Sequence, residues 1–176
     1  AERSLVAAVL DGNPIPIFVL DRGHRVRIWN NACEALTEVS RSDVIGRPVD
    51  SGIFYPSPGR PVLADLVLEM DLQRMQSLYG HKELRRSTLI DEAFEARDEL
   101  TVGGMCRSLY FLAARLRDAE GTVVGAIETV QDITSKVRVE KQLLTHREQL
   151  RSLASELAMA EQRARRQIAS DLHDRV

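Results

Sequence analysis

Side chains able to do chemistry are most concentrated at the end of the chain, where Glu161 to Val176 reads EQRARRQIASDLHDRV. His173 stands beside Asp174, with Arg163, Arg165 and Arg166 upstream. A neutral imidazole with an exposed nitrogen is a nucleophile able to take a phosphoryl group. Guanidinium groups suit a phosphate or an acidic partner. One histidine on a helix says little by itself, and the arginines also read as a solvated basic face with a Glu161–Arg165 pair. Cys33 and Cys106 are far apart and show no metal-ligand spacing, so they read as reduced, buried thiols of a cytosolic protein, and no metal site is expected.

The element that must position His173 is a long helix. Ser135 to Val176 contains neither Gly nor Pro and is rich in Leu, Ala, Glu, Gln and Arg. Apolar positions step by four and three through Val139, Leu143, His146, Leu150, Leu153, Leu157, Ala160 and Ala164, with His146 as the polar interruption. This heptad pattern predicts a coiled coil about 63 Å long if helical throughout, and a parallel homodimer is its simplest partner. After Ala164 the apolar residues are Ile168 and Leu172, two steps of four, a stutter that unwinds the supercoil locally. His173 falls next to that stripe, not within it, so exposure is expected.

Before residue 134 the pattern differs. All Gly and Pro lie in the first 125 residues, between short apolar runs. Ile15–Leu20 and Arg25–Trp29 read as a hairpin around Asp21-Arg22-Gly23-His24, and Asn30–Val39 as a helix. Ser42 is the expected cap of a short helix ending at Gly46. Three strands are expected near Glu99–Gly103, Cys106–Leu116 and Thr122–Gln131, with Tyr110, Leu112 and Ile127 turned toward the core. The middle, Pro61–Arg97, reads as helical. The expected architecture is α+β: a five-stranded antiparallel sheet with helices on one face, then the long coiled-coil helix. Residues 1–13 are expected to form a flanking helix, 14–134 the sheet domain, 135–160 the coiled coil, and 161–176 the start of the helix carrying His173.

Two stretches resemble known families. Pro14–Val49, PIPIFVLDRGHRVRIWNNACEALTEVSRSDVIGRPV, is similar to the opening of a PAS domain, and Gly121–Thr134, GTVVGAIETVQDIT, to its last strand. The resemblance is weak over Phe54–Arg97. It implies a PAS fold with a ligand cavity lined by residues such as Trp29, Phe54, Tyr55, Leu78, Tyr110, Leu112 and Ile127. It also implies a signalling junction at Asp132, Ile133 and Thr134, whose polar side chains can cap the following helix. Glu161–Asp174 resembles the phosphoacceptor box of the NarX/DesK-like histidine kinases through Glu161, Arg165 (or Arg166), Ile168, Ala169, Leu172, His173 and Asp174. That likeness implies a two-component sensor histidine kinase. His173 would accept phosphate, Asp174 would assist as acid or base, and a response-regulator aspartate would receive the phosphate.

Composition limits the alternatives. The chain has 176 residues, 44% hydrophobic and 28% charged, with a net charge of −2, and no apolar run approaches a membrane span. The opening Ala-Glu-Arg-Ser is no signal peptide, so a cytoplasmic fragment is expected, with membrane anchoring of a longer parent left open. No glycine-rich phosphate loop is present, so ATP and magnesium belong to an ATP-binding domain outside this sequence, and the chain alone should be inactive. No cofactor is expected. Flavin photochemistry needs an Asn-Cys-Arg setting that Cys33 lacks, and haem would need His24 or His81, both at turn-like positions. An empty PAS cavity and a small-molecule ligand both stay open. The competing function is a PAS dimerisation or ligand-binding module that scaffolds a different output. Nucleic-acid binding by the basic helix is disfavoured by its mixed charges.

Overall fold

A computed structural model describes residues 2–57 and 59–173, with side chains described for 5–50, 52–57 and 59–170. The chain divides into two units, with the boundary between Thr134 and Ser135. The first unit contains α1 (Glu2–Asp11), β1 (Ile17–Asp21), β2 (Val26–Trp29), α2 (Asn31–Thr37), α3 (Arg41–Val44), a single 3-10 turn at Ser51–Ile53, α4 (Leu63–Glu69), α5 (Leu72–Tyr79), β3 (Arg85–Arg86), β4 (Ala93–Val102), β5 (Met105–Arg117) and β6 (Val123–Asp132). The second is one helix, α6, running Thr134–His173.

The strands form one antiparallel sheet in the order β2-β1-β6-β5-β4-β3. The first hairpin therefore lies beside the last strand, as closure over one core requires. The sheet has six strands, not the expected five, because the short β3 adds to β4 through Arg85 opposite Glu95. β4 also starts at Ala93, well before the expected Glu99. Its sequence, AFEARDELTV, is full of helix-forming residues, but pairing with ten residues of β5 overrides that local preference.

Local chemistry sets the turns. The Asp21 carboxylate accepts from the backbone N–H groups of Gly23 (2.8 Å) and Arg25 (3.0 Å) and closes the first hairpin. Gly103 and Gly104 turn β4 into β5 with φ of 56° and 69°, the left-handed region where Gly carries no steric penalty. Gly125 permits the tight β1–β6 approach: a Cβ there would stand 2.1 Å from the Leu20 carbonyl oxygen. Ser40, not Ser42, caps α3, by accepting from the backbone N–H of Ser42.

Asn30 joins three elements. Its Oδ1 accepts from the N–H groups of Ile17 (2.9 Å) and Cys33 (3.0 Å), and its Nδ2 donates to the carbonyls of Leu10 and Ile15 (2.9 Å each). That uses the amide's full capacity, so this polar group is buried without an unmet partner.

Candidate functional site

The inner face of the sheet carries Phe18, Leu20, Trp29, Phe94, Ala96, Leu109, Phe111, Ala113, Ala126 and Val130, all buried. Leu63, Leu66 and Val67 of α4 and Met75 and Tyr79 of α5 complete the core. Phe54 follows the 3-10 turn and joins the aromatic group, with its ring 6.3 Å from both Phe18 and Phe111. Phe18 in turn lies 5.6 Å from Trp29. Each such ring removed from water contributes about 1.5–3 kcal/mol.

Of the residues expected to line a cavity, Trp29, Phe54 and Tyr55 belong to this core and Leu78 packs against it. Tyr110, Leu112 and Ile127 do not. They alternate with the buried Leu109, Phe111, Ala113, Ala126 and Glu128, so they lie on the opposite face of the sheet. There Leu112 pairs with Thr129 and Ile127 with Ala114, among half-buried neighbours. Both faces of β5 and β6 are apolar, so alternation cannot distinguish the inner face from the outer.

The inner face also holds a carboxyl group that periodicity missed. Glu128 of β6 is 2% exposed, and its Oε2 accepts from the backbone N–H of Ala64 (2.7 Å) in the first turn of α4. Burial pushes its pKa up to about 8, with the Ala64 N–H opposing the rise and Asp65 adding to it. At the far end of the same helix, Arg115 of β5 donates from Nε to the carbonyl of Val67 (3.0 Å) and from a terminal nitrogen to that of Leu68 (2.9 Å). An acceptor thus meets a free N–H at the helix start, and a cation meets free carbonyls at its end, where the helix dipole favours positive charge. The β1–β2 turn reaches α4 as well: His24 Nδ1 lies 2.7 Å from Asp65 Oδ1 and its Nε2 3.3 Å from Glu69 Oε1.

A second polar group that the sequence reading missed surrounds Tyr55. Arg60 and Lys82 both lie over its ring, and Lys82 pairs with Asp98 of β4. These residues fall in the stretch where the PAS resemblance is weakest. The signal in the sequence is two tyrosines and three cations, Arg60, Arg74 and Lys82, spread over Tyr55–Lys82, with nothing in their spacing to single out Arg60 and Lys82.

At the end of β6, Asp132 Oδ1 accepts from the backbone N–H (2.9 Å) and the hydroxyl (2.5 Å) of Thr134, the first residue of α6. Asp132 Oδ2 lies 2.5 Å from an Arg107 terminal nitrogen. Partial burial works to raise the Asp132 carboxyl, but the Thr134 hydrogen bonds and the Arg107 pair outweigh it and hold the group below its usual range. The Thr134 hydroxyl oxygen accepts from Ser108 N–H (2.9 Å), and Ile133 N–H donates to the Ser108 carbonyl (2.8 Å). The exit of β6 is therefore stitched to β5 through one residue pair, Arg107-Ser108.

On α6 the apolar positions are open to water: Val139 is 61% exposed, Leu143 67%, Leu150 68%, Leu153 61% and Leu157 72%. His146, Ala160 and Ala164 are exposed with them. Arg165 pairs with Glu161 at 2.6 Å, one turn apart. His173 is the last residue of the helix and its side chain is outside the described set, while Asp174 lies outside the described residues. Among the described residues no cluster could hold a metal ion, and no helix is long and apolar enough to cross a membrane. Of the other candidate ligands, His24 faces the α4 carboxylates, His81 is exposed, and burial pushes the Cys33 thiol up to about 12, whereas Cys106, expected to be buried, is exposed near the start of β5.

Comparison with known proteins follows the same geometry. The chain is 29% identical over 149 residues to the virulence sensor protein BvgS of Bordetella bronchiseptica, covering 81% of this chain and 11% of that protein. It thus spans about a tenth of the curated relative it matches. An RNA-binding Light-Oxygen-Voltage receptor superposes with a TM-score of 0.53 at 18% identity, over 83% of this chain and 37% of that one. A phage VqmA–DPO complex gives 0.50 at 19% identity, over 82% and 58%. At such identities the likeness is one of fold. Residues 10–138 match the PAS_4 model, described as a PAS fold, and the chain belongs to that family.

Proposed function

We propose that the chain is the sensory and dimerising region of a two-component sensor histidine kinase. The PAS unit takes up a small-molecule or redox signal, and the junction at Asp132, Ile133 and Thr134 passes it to α6. His173 accepts phosphate from an ATP-binding domain of the same protein and hands it to a response-regulator aspartate. Asp174 assists by accepting a hydrogen bond from the imidazole or its proton.

The observation that carries this reading is that α6 runs unbroken from Thr134, the last junction residue, to His173, so the leucine stripe and the histidine lie on one helix that starts at the junction. The exposed stripe from Val139 to Leu157 supports a second α6 as the covering partner, since an isolated helix gains little by exposing leucines. The local likeness to a virulence sensor protein supports a signalling setting. ATP and magnesium belong to the ATP-binding domain in this scheme, and the setting is the cytoplasm.

Mixing the chain with the ATP-binding domain of its own full-length protein, ATP and magnesium tests the assignment. The expected outcome is acid-labile phosphate on the wild-type chain and none on His173→Gln. Phosphate elsewhere, or a labelled His173→Gln, would overturn the His173 assignment, and no phosphate on the wild-type chain would favour the scaffold reading, in which the coiled coil serves another output.

A further inference from the structure

Resting on that sensor reading, the structure points to a chemical class for what the PAS unit recognises. A cleft of about 610 Å³ lies between the segment after the 3-10 turn and β4, lined in part by Phe54, Tyr55, Arg60, Lys82, Asp98 and Leu100. That volume falls in the range of small-molecule sites. The Tyr55 and Tyr79 rings meet edge to face, 6.2 Å apart. Over them lie two cations: Arg60 Cζ is 3.9 Å from the Tyr55 centroid and 5.2 Å from that of Tyr79, and Lys82 Nζ is 4.5 Å and 5.6 Å away.

The two cations are answered unequally. Lys82 is 8% exposed and paired with Asp98. Arg60 has no carboxylate partner among the described residues. Among the described residues its guanidinium makes a single hydrogen bond, from a terminal nitrogen to the Leu78 carbonyl (2.8 Å), and its Nε is buried without an acceptor. The Tyr55 hydroxyl is also buried without a hydrogen bond of good geometry, although the Tyr79 hydroxyl is close enough to influence it. Glu99 also lines the cleft, exposed and paired with neither cation, so two donors and the Arg60 charge have no direct partner, beside a partly apolar wall of Phe54 and Leu100. A buried donor with no acceptor is costly, and a guanidinium matches two oxygens in one plane.

We infer that this cleft binds a small organic monocarboxylate, its two oxygens on the Arg60 guanidinium and the Tyr55 hydroxyl and its hydrocarbon part against Phe54 and Leu100. One negative charge suffices because Asp98 already answers Lys82. Arg60 must turn on its flexible stem to present Nε, and release of the Leu78 carbonyl at the end of α5 would accompany that turn.

The test is binding to this chain, followed by calorimetry and thermal melting with sodium acetate, butyrate and benzoate, and with benzyl alcohol as the neutral control. At least one carboxylate should bind saturably and raise the melting temperature, with benzyl alcohol at least tenfold weaker than benzoate if benzoate is the binder. Arg60→Gln should weaken that binding tenfold or more, Tyr55→Phe severalfold, and exposed Arg86→Gln not at all. Circular dichroism checks that each variant is folded, and if Arg60→Gln is not, Tyr55→Phe decides. No binding by any of the three probes, or equal binding by a folded Arg60→Gln, would overturn the proposal. The readout needs no ATP-binding domain, so its failure leaves the His173 assignment standing, and the reverse holds too.

Discussion

The two units treat their large apolar side chains in opposite ways. In the first, Phe18, Trp29, Leu63, Leu66, Leu109 and Phe111 are at most 2% exposed. In the second, the leucines at 143, 150, 153 and 157 are at least 61% exposed, though their spacing is as regular as that of any core helix. One unit encloses its own core. The other leaves its apolar stripe open to water, which is the pattern a second helix would cover in the proposed dimer.

Truncating a ring in the enclosed core should produce the largest loss. Phe111→Ala should cost about 3–5 kcal/mol in urea-induced unfolding of the PAS unit, because the cavity opens against Phe54. A matching Leu153→Ala should cost the unfolding of that unit less than about 0.5 kcal/mol. Equal losses would erase the contrast. Next in size, Leu150→Asp combined with Leu157→Asp should weaken self-association at least about a hundredfold, about 2.7 kcal/mol, in sedimentation equilibrium while leaving the circular dichroism of the sheet intact. Undiminished association would mean that the leucine stripe is not what joins two copies.

The buried carboxyl sharpens the same contrast through pH. Glu128 has a folded pKa of about 8 against 4.5 when unperturbed, so the folded state holds the extra proton between those values. Its contribution is complete below about 4.5 and is lost as pH rises through 8. From pH 5 to pH 8 the PAS unit should lose on the order of 3 kcal/mol from this group, and Glu128→Gln should flatten that slope. A slope unchanged in the variant would show that other groups set it. Smallest is the junction: Asp132→Ala should cost about 1 kcal/mol and speed hydrogen exchange at the Ser108 and Thr134 amides. Unchanged exchange at both would mean that the Asp132–Thr134 contact does not hold the exit of β6.

What could be read in the chain beforehand follows from the same physics. Both hairpins, the Gly- and Pro-free helix and its stripe are local patterns, visible in neighbouring residues. The inner face of β5 was not visible, because Tyr110-Phe111-Leu112-Ala113 offers apolar residues to both sides. The first part of β4 is hidden because Ala93–Asp98 favours a helix locally and becomes a strand only by pairing with β5, whereas the part from Glu99 is legible. Glu128 sits at an inward position that Ile127 seemed better suited to fill, and only the Ala64 N–H, far away in sequence, explains it. Arg60 and Lys82 meet at Tyr55 through tertiary contacts that no spacing announces. His173 stands out in the sequence through its neighbours, and under the proposed function its role would depend on how α6 carries rotation or strain from the PAS unit.

The most direct test of that dependence changes the register of α6 between Leu157 and Ala160 and reads phosphate on His173 in the full-length protein. Inserting one residue turns everything beyond it by about 100° around the helix, whereas inserting seven restores the stripe nearly in place. The account predicts at least a tenfold change in the rate of His173 phosphorylation with one residue, and close to the wild-type rate with seven. Wild-type rates from both insertions would contradict it, because the helix would then be a tether and not a conductor.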